Sequence, residues 1–216
     1  MREKERSTKI IFVRHGETSF PLDRIYCDEV EDPPLNDLGL AQVEQAAESL
    51  NLARPAALYV SPSLRTRMTA DILSLPHSGL LAVPDDCLRE RHFGVWEGLC
   101  FSEIERDFAT EHQKWKRDQA SFKPKGGESV YDLADRVVPF VRDVVARHRG
   151  EVVIVVAHVG PIRVLVAEAL GIPIGAYRQL CIDPASITVV DYGITQNNLI
   201  LMNFHKRHWA NQTAEC

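Results

Sequence analysis

The sequence lacks any apolar run long enough to cross a membrane. Its most hydrophobic stretch, Val152 to Leu170, is interrupted by His158, Arg163 and Glu168, whereas a spanning helix needs about 20 predominantly apolar residues. It has no internal repeat, low-complexity tract or Gly/Ser linker, which sets aside solenoids and loosely tethered modules. Cysteine is sparse. The five residues, Cys27, Cys87, Cys100, Cys181 and Cys216, are odd in number and contain no C-x-x-C pair, so neither a disulfide framework nor a zinc ribbon is encoded. The stretch Met1 to Lys9 is charged and leads only into the short apolar run Ile10 to Val13, unlike a signal-peptide core. These features give the expectation of a cytoplasmic protein with reduced thiols, in which Asn211-Gln212-Thr213 is a glycosylation sequon by letter only. Positive charge is also in short supply. With 25 basic and 30 acidic residues the net charge is −5, which argues against nucleic acid or an anionic membrane as the main partner. It does not argue against one small anion held by a few local arginines.

What is present is ordinary globular material: 216 residues, 45% hydrophobic and 25% charged. That length buries about 70% of the unfolded surface. Lys9 to Val13 reads as a short buried strand. Asn36 caps an expected helix over Asp37 to Leu50, with Leu40, Val43, Ala47 and Leu50 on one face. A second strand is expected at Ala57 to Val60. Ser61 then serves as N-cap and Pro62 as first helical residue of a helix to about Ser74. Ser129 and Asp132 form a capping box for a helix to about His148, which Pro139 should kink or split. Val152 to Ala157 is a β-branched run suited to a strand buried on both faces. Gly160 and Pro161 open a helix ending near Gly171, and strands at Ile187 to Tyr192 and Asn198 to Phe204 follow. The alternation predicts an α/β/α sandwich with a mostly parallel sheet. The expected organisation is one domain over residues 1–216, with residues 100–125 as a small helical cap insertion.

Ligands of open α/β sheets bind beyond the carboxyl ends of the strands, so the residues there are informative. The first strand runs into Arg14-His15-Gly16-Glu17-Thr18, the second into Ser61-Pro62-Ser63-Leu64-Arg65, and the buried one into His158-Val159-Gly160-Pro161. Any one of these residues alone reads as structural or solvated. Together they put two histidines, two arginines and two helix N-termini on one edge, and such a focus of positive charge calls for an anion, with phosphate fitting the geometry.

Arg14-His15-Gly16-Glu17-Thr18 resembles the signature of the histidine phosphatase superfamily, the phosphoglycerate-mutase-like fold. Ser61-Pro62 with Arg65 and Thr69-Ala70 is similar to a second family block. Leu88-Arg89-Glu90-Arg91-His92-Phe93-Gly94-Val95-Trp96-Glu97-Gly98 is similar to a third. Gly127-Glu128-Ser129 and Val156-Ala157-His158-Val159-Gly160 resemble two more, so that the likeness runs from about Ile10 to Asn203. It implies that His15 is the nucleophile and that Arg14, Arg65 and His158 hold the phosphoryl oxygens. Glu90 is implied as the proton donor to the leaving group. No cofactor and no metal are implied, since the arginines and histidines supply the charge. His205-Lys206-Arg207-His208 is expected to be solvated rather than a metal pair. Two departures stand out. Pro21 occupies the place of a phosphate-contacting Asn, so Thr18, Ser19 or a backbone N–H is expected to substitute. Val159 follows the second histidine where Gly or Ser is common, so only its backbone N–H can donate.

The resemblance implies a phosphomonoesterase acting on a small phosphorylated metabolite. A 2,3-bisphosphoglycerate-dependent phosphoglycerate mutase and a non-catalytic phosphate-binding module are the alternatives, and a homodimer is left open. The cap carries Phe101, Phe108, Trp115 and Phe122 among Lys114, Lys116, Arg117, Lys123 and Lys125. These either roof the pocket or form helices with aromatics packed inward, the second being the expectation. The acidic group Asp28, Glu29, Glu31 and Asp32 either bounds the site by repulsion or is a solvated turn.

Overall fold

Thr8–Arg14 forms the central strand β1 because alternate residues can be buried on opposite faces. Ile10 and Phe12 join one core while Ile11 and Val13 join the other. The computed structural model describes residues 7–21, 24–25 and 31–206. After β1 come α1 (Asp37–Leu50), β2 (Pro55–Val60), α2 (Leu64–Ser74), β3 (Ala82–Pro84), α3 (Phe101–Asp107) and α4 (Ala109–Arg117). The chain continues with α5 (Val130–Arg147), β4 (Val152–Ala157), α6 (Val159–Leu170), β5 (Ile187–Tyr192) and β6 (Asn197–Phe204). The six strands lie in the order β3-β2-β4-β1-β5-β6. Pairings β3-β2, β2-β4 and β4-β1 are parallel, while β1-β5 and β5-β6 are antiparallel. The result is the expected α/β/α sandwich with a mostly parallel sheet.

One face of the sheet packs Val153, Val155 and Ala157 of β4 against Leu133, Val137, Val141 and Val144 of α5 and Ile162, Leu165 and Val166 of α6. The other packs Ile154 and Val156 against Val43, Ala47 and Leu50 of α1 and Ala70 and Leu73 of α2. Strand β4 is thus buried on both faces, as its unbroken β-branched run predicts. A third, small cluster joins Trp96, Ile104 and Trp115, with Phe122 stacked on Trp96 at 4.9 Å. Phe108, Trp115 and Phe122 therefore pack inward as expected, with Lys114, Lys116 and Arg117 exposed; Phe101 does not, being 37% exposed at the start of α3.

Three local expectations change. Helix α2 begins at Leu64 with Ser63, not Ser61, at the N-cap position, because Ser61 is still held to the sheet by its N–H on the Val156 carbonyl. Helix α5 runs unbroken through Pro139. The proline lies on its exposed side, where the carbonyl it leaves unbonded can reach water. Helix α6 starts one residue earlier than expected, with His158 at its N-cap position. Strand β3 was not anticipated, being three residues long at the sheet edge. No helix among the described residues is long and apolar enough to cross a membrane. Cys87, Cys100 and Cys181 are free thiols; Cys27 and Cys216 lie outside the described residues.

Candidate active site

The site is built by three neighbouring parallel strands ending together. His15 donates its backbone N–H to the Ala157 carbonyl and Ser61 donates to the Val156 carbonyl. His158 therefore emerges between His15 and Ser61, and the two imidazole centroids lie 5.2 Å apart. Arg65 reaches the same place from the first turn of α2. His15, His158 and Arg65 line a cleft of about 250 Å³ with Arg14, Glu90 and Val159.

His15 is fixed by a single short bond: its Nδ1–H donates to the Gly16 carbonyl at 2.7 Å. That leaves Nε2 as the unprotonated nitrogen. Burial first, then the charges of Arg14 and Arg65, hold its pKa well below the usual histidine value, against a smaller opposing effect of the Gly16 carbonyl. The ring is neutral at neutral pH.

Arg65 is 1% exposed and is the hub. Its Nε lies 3.4 Å from His15 Nε2, its Nη2 3.1 Å from His158 Nδ1 and its Nη1 3.4 Å from Asp32. A guanidinium can only donate, so both ring nitrogens accept, and the His158 proton must sit on Nε2. It is donated there to Ser61 Oγ at 2.9 Å, with Ser63 Oγ at 3.2 Å. His158 is fully buried, and its pKa is held well below the usual value by that burial and by Arg65. It can donate to a phosphoryl oxygen through Nδ1 only after gaining a proton there, which an arriving dianion favours.

Glu90 sits opposite, 8% exposed. Its Oε1 accepts the Arg91 N–H at 2.7 Å and its Oε2 accepts the Gly160 N–H at 3.1 Å. Burial pushes its pKa up, against these two N–H groups and the charges of Arg14 and Arg65. A Cβ on residue 160 would overlap Glu90 Oε1, so glycine there is what lets the carboxylate dock on the start of α6. The loop carrying Glu90 is clamped from outside by Arg136, which donates to the Cys87, Arg89 and Glu90 carbonyls at 2.7, 2.8 and 2.9 Å and to both Glu128 oxygens at 2.9 Å. Glu128 in turn accepts the His92 N–H at 3.0 Å. The Gly127-Glu128-Ser129 motif thus acts on the site through the loop.

Of the residues singled out in the sequence, Arg14, His15, Arg65, Glu90, His158 and Val159 are brought together. Thr18 and Ser19 are not among the cleft-lining residues. Thr18 is buried and bridged to Leu35, its Oγ accepting the Phe20 N–H at 3.4 Å, and Ser19 is exposed. Pro21 does line the cleft. Asp32 neither repels from a distance nor is merely solvated: it caps Leu64 N–H with both oxygens, at 2.7 and 2.9 Å, and pairs with Arg65. Asp28 and Glu29 lie outside the described residues. His205 stands 3.4 Å from Asp183, away from the cleft, and His208 is outside the described residues. Sequence reasoning missed the roles of Asp32, Arg136 and Gly160 and the cleft-lining Arg24, Arg163 and Arg178. Gly160 alone carried a local signal, as a small residue beside a candidate histidine.

Comparison with known proteins places this geometry. The profile of the histidine phosphatase superfamily (branch 1) matches residues 10–205. A bifunctional protein of Mycobacterium tuberculosis is 34% identical over 185 residues, covering 86% of this chain and 50% of that protein. The chain thus spans about half the length of the first curated relatives it matches. Phosphoserine phosphatase 1 of Hydrogenobacter thermophilus is 28% identical over 197 residues, which cover 90% of this chain and 92% of that one. The native structure of a mycobacterial glucosyl-3-phosphoglycerate phosphatase has a TM-score of 0.81 at 30% identity, covering 92% of this chain and 99% of that one. A profile match across nearly all the described residues, with the histidines, arginines and glutamate converging on one cleft, means that the chain belongs to the histidine phosphatase superfamily, branch 1.

Proposed function

We propose that the protein is a metal-independent phosphomonoesterase that hydrolyses a small phosphorylated metabolite through a phosphohistidine on His15. The observation that carries the reading is the Nδ1–H bond of His15 to the Gly16 carbonyl, which aims a neutral Nε2 at a cleft lined by Arg14, Arg65 and Glu90. In the first half-reaction Nε2 attacks phosphorus and the ester P–O bond breaks, while protonated Glu90 gives its proton to the departing oxygen. Arg14 and Arg65 stay on the equatorial oxygens, where charge is spread in the transition state. In the second, the Glu90 carboxylate takes a proton from water, whose oxygen attacks phosphorus and releases phosphate and His15. Arg65 must turn from the His15 lone pair to the phosphoryl group as substrate arrives, and Asp32 keeps it from swinging away.

The phosphatase names of the relatives support hydrolysis over mutase chemistry, in which the same phosphohistidine would be returned to a second hydroxyl. Retention of both His15 and Glu90 argues against a non-catalytic phosphate-binding module. The net charge of −5 favours small metabolites over nucleic acid or membranes, and the reading takes the enzyme to work in the cytoplasm. A homodimer is not required, since one chain supplies the whole cleft; light scattering decides it. The test is turnover of an aryl phosphate by the purified protein with and without EDTA, beside His15→Ala. The expected outcome is EDTA-resistant release of phosphate that the substitution abolishes. Activity surviving in His15→Ala sinks the mechanism, and loss in EDTA sinks metal independence.

A further inference from the structure

Beyond the phosphoryl-binding residues, the cleft has a second set of cations that the reaction does not use. Arg91, Arg163 and Arg178 all line it, together with Phe93, Phe101 and Tyr177. Arg91 follows the acid and is 3% exposed; its Nε donates to the Glu128 carbonyl at 2.9 Å and its guanidinium carbon lies 4.8 Å over the Phe93 ring. Arg163, on α6, spends its Nε on the Leu180 carbonyl at 2.7 Å. Arg178 is exposed and packs against the cap, 5.4 Å over Trp115 and 5.8 Å over Phe101.

In each case the Nε or an aromatic face fixes the side chain, and among the described residues no carboxylate forms an ion pair with any of the three. Arg24, at the same cleft, is matched by Glu103 at 3.0 Å. The acid facing the trio is Glu90, which serves the leaving group and is protonated when substrate is bound. Burial depresses the basicity of Arg91 and Arg163 and the nearby charge of Arg178 adds to this, against opposing effects of Glu90 and of Tyr177, which is hydrogen-bonded to Arg91. Holding like charges in a partly desolvated cleft is costly unless an anion completes them.

We infer that Arg91, Arg163 and Arg178 form a second anion subsite, and that the substrate is a phosphomonoester bearing a further carboxylate or phosphate. The inference rests on the phosphatase reading for the phosphoryl end only. The first group docks at His15 and the second is forked by the trio, with Phe101 and Tyr177 flanking what joins them. A cleft of about 250 Å³ restricts the joining part to a few atoms.

The experiment compares kcat/KM for esters that differ only in the second anion. O-phosphoserine against O-phosphoethanolamine tests a carboxylate, and fructose 1,6-bisphosphate against fructose 6-phosphate tests a phosphate. The expected result is a preference for the doubly anionic member of at least one pair, reduced about tenfold per arginine removed in Arg163→Met and Arg178→Met. Lys116→Met, which removes an exposed cap cation paired with Glu105, keeps the preference. Arg178 is exposed, so its variant folds even if Arg163→Met does not. If the wild-type protein hydrolyses none of the esters, the phosphatase reading fails by itself. The subsite is then read by calorimetric binding of the same pairs, with the same expected ratios. No preference within either pair, or a preference unmoved in Arg178→Met, overturns the subsite.

Discussion

In the proposed reaction His15 must be neutral and Glu90 protonated at the same moment, and each residue's surroundings push it that way. Burial and two guanidinium groups lower the histidine, while burial raises the glutamate. The active form is bounded on the acid side by protonation of His15, below the ordinary histidine value of about 6.5, and on the basic side by ionisation of Glu90, above about 4.3. A bound dianion moves both bounds upward, a shift read in kcat, whereas kcat/KM reports the free enzyme. A bell-shaped kcat/KM profile is therefore expected, whose basic limb belongs to Glu90. Glu90→Gln should lose that limb and slow alkyl phosphates by roughly 10²–10⁴-fold. In kcat/KM, which reports formation of the phosphohistidine and not its hydrolysis, aryl phosphates, whose leaving oxygen needs no proton, should suffer far less. Equal losses of kcat/KM on both substrate types, measured by steady-state kinetics, would remove Glu90 from the role of acid.

The start of α6 does two jobs at the scale of an element: it presents His158 from the end of β4, and two residues later it seats Glu90 on the Gly160 N–H. Gly160→Ala places a methyl group against Glu90 Oε1. It should reduce kcat at least tenfold with a shifted basic limb, and cost about 1–3 kcal/mol of stability. A variant with unchanged kcat would show that the acid does not need this seat. Legibility in the sequence follows the same division. Helix α1 was readable to the residue because Asn36 supplies a cap and its apolar residues recur on one face; β1 and β4 were readable because β-branched runs admit few alternatives. Ser61 and Ser63 both satisfy cap chemistry, and only the sheet bond of Ser61 decides between them. Strand β3 is too short to show a period. The histidines and arginines proposed for catalysis were legible because each ends or directly follows a strand or opens a helix. Asp32, Arg136, Arg163 and Arg178 were not, because their partners are distant in sequence and only folding brings them together.

The whole molecule carries a net charge of −5 around a locally positive cleft, and it holds His158 fully buried and neutral. The unfolded chain binds a proton at that histidine below about pH 6.5 while the folded chain does not, so stability falls as pH drops below that value. The slope from this group reaches about 1.4 kcal/mol per pH unit. Denaturant midpoints between about pH 7 and pH 5, above the range where paired carboxylates titrate, should decline in the wild-type protein and decline less in His158→Gln. A midpoint whose pH dependence is the same in the wild-type protein and in His158→Gln would mean that His158 is not held neutral by the fold. The central claim is the covalent intermediate itself. Rapid mixing with a radiolabelled phosphomonoester, followed by denaturing quench and peptide mapping under mildly alkaline conditions, reads it directly. The account predicts an acid-labile, base-stable phosphoryl label on the peptide containing His15, formed and lost within the time of turnover and absent from His15→Ala. Hydrolysis without any label on that peptide, or with the label on another residue, would contradict it.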